Sequence, residues 1–200
     1  MLFIITGPSG CGKSSLVLRV LDKVENVRFS VSHTTRKKRD SEKEGVHYYF
    51  ISKSEFELMI KEERLFEWTV FQGNHYGTSK REVERKGATG DLLLDIDVHG
   101  AEQIKSRLKK AVFIFILPPS FEELKKRLEA RGQESAESIG ERLELARKDI
   151  RAYPQFDYII VNDDLDRAAK CLESIIRSMR CSLESKKKEI VPILQSFSKD

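Results

Sequence analysis

The 200 residues are 40% hydrophobic and 34% charged, with 11 Gly and 5 Pro, which fits one folded domain and excludes collagen-like, low-complexity and disulfide-scaffold chains. A surplus of 36 basic over 32 acidic side chains is too small to argue by itself for a nucleic-acid polymer or a membrane surface as partner. The longest apolar run, Ala111 to Pro119, is about half the ~20 residues of a bilayer helix, and Met1–Thr6 lacks the charged start of a signal peptide.

Apolar runs of strand length occur at Leu2–Thr6, Leu92–Ile96, Val112–Leu117 and Tyr158–Val161. Helical patterns follow, such as Leu16, Val17, Val20, Leu21 and Val24, and later Leu165, Ala168, Ala169, Leu172, Ile175, Ile176 and Met179. Continuous rather than alternating apolar strands suit a parallel sheet covered on both faces, so the predicted class is α/β. Two stretches interrupt this rhythm. From about 33 to 87, strand-like pieces at His47–Ile51 and Leu65–Phe71 flank a helix whose predicted start pairs Ser54 with Glu57, the spacing of a capping box. From 120 to 150, a second box, Ser120 with Glu123, opens a helix bearing Phe121, Leu124 and Leu128. A polar stretch, Gly132–Ser138, then leads to a helix bearing Ile139, Leu143, Ala146 and Ile150, and two helices joined this way have the form of a movable lid. Without repeats or Gly/Ser linkers, these are insertions in one domain, with a core at about 1–32, 88–119 and 151–183 and a tail at 184–200.

Three cysteines do not make a disulfide framework. Cys171 and Cys181 are ten residues apart on one predicted helix, which is ~15 Å against the ~6 Å Cα separation of a disulfide. A reducing, cytoplasmic setting is expected.

Between the first strand and the first helix stands Gly7-Pro8-Ser9-Gly10-Cys11-Gly12-Lys13-Ser14, which fits G-x-x-x-x-G-K-[ST]. Glycines let the backbone aim successive N–H groups at phosphate oxygens, and the helix N-terminus adds its positive dipole end. Lys13 is expected on the terminal phosphates of a nucleoside triphosphate and Ser14 on Mg²⁺, with Ser15 next to it in the loop's reach. Cys11 occupies a free position of the loop, and a thiol near a helix N-terminus is expected to be modestly reactive.

Further along come Thr34-Thr35-Arg36-Lys37-Lys38-Arg39, then Tyr48, Phe66-Glu67-Trp68, Gly73-Asn74-His75-Tyr76-Gly77-Thr78 and Leu94-Asp95-Ile96-Asp97. In this order, with the phosphate loop before and the arginine-bearing lid after, the chain resembles the guanylate kinase family from Phe3 to Ile176. That resemblance implies a P-loop nucleoside-monophosphate-kinase core with a parallel sheet, a mixed GMP-binding insertion, a helical lid, and transfer of the γ-phosphoryl group of ATP to GMP with Mg²⁺. It implies Arg36, Arg39, Tyr48 and Tyr76 as binders of the GMP phosphate, where guanidinium forks and phenols suit a dianion. Glu67 matches the guanine reader: a carboxylate accepts from guanine N1–H and the 2-amino group, whereas adenine turns a lone pair toward it. Ser32 and Thr78 match hydroxyls near the base, and Asp97 stands near it too. Asp95 matches a position near the metal's water shell, Asn162 one near adenine, and Arg127, Arg131 and Arg142 the lid arginines that close over the ATP phosphates.

Each of these residues has a plainer reading. Arg36–Arg39 could be a solvated basic loop answered by Asp40, Glu42 and Glu44; Tyr48 and Tyr76 could be half-buried strand aromatics. Either aspartate could cap the helix that starts near Gly100, and the lid arginines could pair with the many surrounding glutamates. No histidine shows metal-ligand or triad spacing, in keeping with an acceptor that is already an ionised phosphate and needs no general base. The Lys37-Lys38 pair stands where the family often has proline. Two rivals remain: a guanylate-kinase-like scaffold domain without catalysis, and another small-molecule phosphokinase of the same fold. A nucleic-acid polymer is not expected as partner, because charges are mixed throughout. A homo-oligomer is compatible with the sequence but not indicated by it.

Overall fold

A computed structural model describes residues 1–108, 110–130 and 135–197 and assembles the apolar runs into one parallel sheet. In chain order the elements are β1 (Leu2–Thr6), α1 (Lys13–Lys23), β2 (Val27–Phe29), β3 (His33–Thr34), β4 (Tyr49–Phe50), α2 (Lys53–Lys61), β5 (Leu65–Phe71), β6 (Asn74–Ser79) and α3 (Lys80–Gly87). There follow β7 (Asp91–Asp95), α4 (Val98–Arg107), β8 (Ala111–Leu117), α5 (Phe121–Ala130), α6 (Ala136–Asp149), β9 (Tyr158–Val161), α7 (Leu165–Arg180) and α8 (Leu183–Phe197), with a 3-10 segment at Ile150–Gln155.

The main sheet has the order β2-β7-β1-β8-β9, every neighbouring pair parallel. Successive residues of β1 divide between its faces. Phe3 and Ile5 pack with Leu16, Val17 and Val20 of α1 and Ala168, Leu172 and Ile176 of α7; Ile4 packs with Leu94, Phe113 and Ile104 of α4 on the other side. Both faces are therefore dry, as the uninterrupted apolar strands require. Because the chain passes from β1 to one side of the sheet and later returns over it to β8, the carboxyl end of β1 is a topological switch point, where ligands of such sheets gather.

A second, mixed sheet has the order β4-β3-β6-β5, with β3 parallel to β4 and antiparallel to β6, and β5 antiparallel to β6. It sits on Phe56, Met59 and Leu65. Its elements lie within the stretch 33–87, and their details differ from expectation. Helix α2 is capped by Ser52 and Glu55, not Ser54 and Glu57: the Ser52 hydroxyl accepts from the Glu55 amide and the Glu55 carboxylate answers the Ser52 amide. Ser54 merely shares a hydrogen bond with the Ser52 hydroxyl at 3.0 Å. The strand expected over His47–Ile51 is only Tyr49–Phe50, and the strands β2, β3 and β6 had no apolar run to announce them. In the lid, α5 and α6 meet through Leu124, Leu128, Leu143 and Ala146, with the Ser120 hydroxyl accepting from the Glu123 amide at 3.1 Å; Ile150, assigned to the same face, is instead exposed. The tail beyond the core is largely helical, and α8 has no buried residue. Among the described residues, no helix is long and apolar enough to cross a membrane.

Candidate active site

The carboxyl ends of β1 and β7, the phosphate loop, the inner face of the mixed sheet and α6 enclose a cleft of about 700 Å³. On its floor the loop curls because Gly7, Gly10 and Gly12 have φ of 147°, 93° and 97°, values that only glycine adopts without strain. There is also no room for side chains: a Cβ on Gly7 would lie 2.2 Å from the Ile116 carbonyl, and one on Gly12 would lie 2.2 Å from Asn162 Nδ2. The Lys13 ammonium donates to the Gly7 carbonyl at 2.8 Å and lies 3.9 Å from Asp95 Oδ1. Its pKa is raised: burial opposes the charge, but the neighbouring carboxylates Asp95, Asp149 and Asp97 favour it. The Ser14 hydroxyl donates to Asp95 Oδ2 at 3.0 Å. For Asp95 itself burial outweighs Lys13 and Ser14 and pushes the carboxyl above its ordinary value.

One loop position differs from expectation. Cys11 is fully buried in the main core, and burial, only partly offset by Lys13, raises its thiol pKa. A covered, protonated thiol is unreactive, so the modest reactivity expected of it does not hold. Asn162 is buried as well: its side-chain amide donates to the Cys11 carbonyl at 2.7 Å, which commits it to supporting the loop from beneath.

Opposite the loop, Glu67 points inward from β5. It is 3% exposed, and its Oε1 is buried without a hydrogen-bond partner among the described residues. Burial chiefly, with Asp97 adding, raises its pKa to about 7, although the Thr78 hydroxyl and amide pull the other way. The register pairs Glu67 with Thr78, and the Thr78 hydroxyl lies 3.2 Å from that of Ser32, so three residues from distant stretches meet at one spot. Gly100 makes this seat possible: a Cβ there would lie 2.6 Å from Glu67 Oε2 and 3.2 Å from Asp97 Oδ1. Asp97 plays the capping role as well as lining the cleft, since its Oδ1 accepts from the Gly100 amide at 2.7 Å to start α4.

Arg36 and Arg39 both line the cleft, whereas Lys37 and Lys38 are exposed. Arg36 forms a two-pronged pair with Glu42, at 3.0 and 2.7 Å, and its guanidinium carbon stands 5.5 Å from the Tyr48 ring centre. Burial lowers the Arg36 pKa but Glu42 and Tyr76 more than restore it; Glu42 is correspondingly held below its ordinary value, burial notwithstanding. Tyr48 and Tyr76 rings meet edge to face at 6.0 Å, and burial pushes the Tyr48 phenol up, so it remains a donor. A glutamate thus holds the fork of Arg36 in a geometry that a phosphate could take over.

From the lid, the Arg142 guanidinium donates to the Ser9 hydroxyl at 3.0 Å. Arg127 is braced by Glu123 at 2.9 Å and reaches the Cys11 carbonyl at 3.4 Å, so the surface-pair reading and the loop contact both hold for it. Arg131 lies outside the described residues. Sequence reasoning missed Asp149, which lines the cleft at the end of α6 and whose carboxyl is raised to about 6 by burial and by Asp97, against Lys13. Its signal was present: Asp149 follows Arg142 by seven residues, two helical turns along one face. Gln72 was also missed, since it belongs to no charge pattern and only the folded packing marks it; Gly100 was noted only as the place near which a helix starts.

Comparison with known proteins gives a consistent result. Residues 1–179 match the family model described as Guanylate kinase. A relative named guanylate kinase from Shewanella violacea is 49% identical over 181 residues, covering 90% of this chain and 87% of the relative. Another of that name from Haemophilus influenzae is 46% identical over 200 residues, covering 98% and 96%. The crystal structure of guanylate kinase from Anaplasma phagocytophilum superposes with a TM-score of 0.75 at 31% identity, over 92% of this chain and 87% of that one.

Proposed function

We infer from the cleft how this chain, which belongs to the guanylate kinase family, carries out the transfer of the γ-phosphoryl group of ATP to GMP. The observation that carries the reading is the buried, unpartnered Oε1 of Glu67 beside the Ser32 and Thr78 hydroxyls. Leaving a carboxylate oxygen dry and unanswered is costly, and guanine repairs it by donating from N1–H and the 2-amino group. Adenine cannot, and the hydroxyl pair can donate to guanine O6, so a few groups suffice for a large preference. Asp97 bounds the same pocket. Arg36, released from Glu42, would grip the GMP phosphate together with Arg39, Tyr48 and Tyr76.

On the other side, the backbone from Gly7 through Pro8, Ser9, Gly10, Cys11 and Gly12 to Lys13, Ser14 and Ser15 would cradle the ATP phosphates, with Asn162 acting through the shape of the loop. Ser14 Oγ and Asp95 are hard oxygen donors of the kind Mg²⁺ prefers, and would hold it directly or through water. Bound there, Mg²⁺ would offset charge on the phosphate oxygens. Lys13, Arg127, Arg131 and Arg142 would supply the remaining positive charge around the transferred group, while Arg36 and Arg39 hold the acceptor in line. The acceptor oxygen is ionised already, so these residues act by positioning and by charge, and the lid keeps water from competing.

The domain limits belong to this reading: insertion 33–87 for GMP, lid 120–150 for ATP. So does a reducing, cytoplasmic setting, supported by three free thiols. The decisive test is ADP formation from ATP with GMP, AMP, CMP or UMP as acceptor. Turnover with GMP at least ~10³-fold above AMP is expected if unpaired polar groups set the preference. Equal turnover of GMP and AMP removes the role of Glu67, and no turnover with any acceptor favours the scaffold reading.

A further inference from the structure

At the tip of the β5–β6 hairpin, Gln72 and Gly73 take φ of 46° and 74°, the paired left-handed conformations of a tight two-residue turn. Gln72 is exposed, yet its side chain is fully engaged. Its Nε2 donates to Ser138 Oγ at 3.0 Å and to Glu141 Oε2 at 3.2 Å, and its Oε1 accepts from Arg142 at 3.4 Å. These three residues share one face of α6, at spacings of three and four. Arg142 passes the connection on. Its guanidinium carbon stands 5.3 Å from the centre of the Phe71 ring, and its other terminal nitrogen donates to Ser9 of the phosphate loop. A single amide thereby joins the GMP-side hairpin to the lid and, through Arg142, to the floor of the ATP side.

The hairpin that ends in Gln72 is the one that carries Glu67 on β5 and Tyr76 on β6. A guanine and phosphate bound to those strands would hold the hairpin tip in one place, and with it the amide that faces α6. We propose that Gln72 is a positioning residue for phosphoryl transfer: it presents Arg142 to the phosphate loop when GMP occupies the hairpin. This rests on the reading of Arg142 as a phosphate-facing cation. The consequence is mutual coupling. If the hairpin with GMP favours Arg142 over the loop, an ATP analogue that engages Arg142 must tighten GMP by the same factor. The uncharged amide is suited to the task because it gives two donors to the lid and one acceptor to the arginine, without supplying a charge that could replace the phosphates as partner of Arg142.

Gln72→Gly is the informative variant, since it deletes the amide at a positive φ where glycine is at ease, leaving the turn intact. Three measurements are made on this variant, on Arg142→Ala and on the double variant: steady-state kcat with ATP and GMP, GMP affinity without ATP by calorimetry, and GMP affinity with a non-hydrolysable ATP analogue. Loss of the hydrogen-bond link to the charged Arg142 and Glu141 predicts a fall of about tenfold in kcat for Gln72→Gly. Affinity for GMP alone stays within about twofold of the unchanged chain, but its enhancement by the ATP analogue disappears. Arg142→Ala loses about a hundredfold or more in kcat, and the double variant loses no more than Arg142→Ala alone. An unchanged kcat in Gln72→Gly overturns the proposal, as do losses that simply multiply in the double variant. Full activity in Arg142→Ala instead refutes the phosphate-facing role of Arg142, a failure distinct from that of Gln72.

Discussion

The two sides of the cleft satisfy their polar groups in opposite ways. Around the phosphate loop three polar side chains already have internal partners: Lys13 has the Gly7 carbonyl and Asp95, Ser14 has Asp95, and Asn162 has the Cys11 carbonyl. Across the cleft, Glu67 is buried more deeply than Lys13 or Ser14, yet keeps an oxygen with no partner among the described residues and a pKa raised to about 7. On the proposed reading, a phosphate joins side chains that are already partnered, whereas the base side keeps an oxygen open until a base arrives. Binding energy on the first side comes from many backbone groups in a fixed curve. On the second it comes from a few side chains whose unmet needs select one base.

Three substitutions test this contrast, in falling order of effect. Lys13→Ala should reduce kcat by about a thousandfold or more, because it removes the buried cation at the transferred phosphate, while GMP binding measured alone stays unchanged. Survival of transfer within a few-fold would separate the loop from the chemistry. Glu67→Gln should lower kcat/KM for GMP by roughly 10²-fold, since one acceptor becomes a donor facing a donor. It should also stabilise the free protein at alkaline pH. The sign follows from linkage: a carboxyl at 4.5 when unfolded and about 7 when folded binds more protons folded, so stability declines as pH rises between those values. The full loss above pH 7 is on the order of 3 kcal/mol, and the amide escapes it. Thermal melts at pH 5 and pH 8 check this, and an unchanged difference between the two variants would mean Glu67 is well solvated. Gly100→Ala should have the mildest effect, raising KM for GMP by about tenfold with KM for ATP unaltered, because the added methyl displaces the carboxylate of Glu67 without deleting it. If both KM values rise together, Gly100 serves the fold of α4 and not the base pocket.

The same contrast explains what could be read from the chain. Eight contiguous residues, Gly7–Ser14, build the loop, and a strand before and a helix after supply its context, so geometry and sequence coincide. The base pocket gathers Ser32, Glu67, Thr78, Asp97 and Gly100 from separated elements, and only resemblance to a family could group the first four. Gly100 looked like an ordinary helix residue. Its value is an absent methyl group, visible only once Glu67 is placed against it. Long buried strands were legible because both faces are apolar; the two-residue strand β3 was not, since its pairing is decided by β6, some forty residues away. The helix cap shifted from Ser54 to Ser52 for a local reason, as two serines offered the same spacing to two glutamates. Gln72 carries no pattern at all, because its partners lie on another insertion.

The unanswered oxygen of Glu67 also leaves a trace in solution. Burial raises that carboxyl to about 7 in the free protein, and the proposed reading of guanine needs its ionised form. On that reading GMP binding releases protons into the buffer near neutrality. Calorimetric heats measured in buffers of different ionisation enthalpy would register it, and Glu67→Gln would remove that share. On that reading guanine recognition is, seen from the solvent, an acid release.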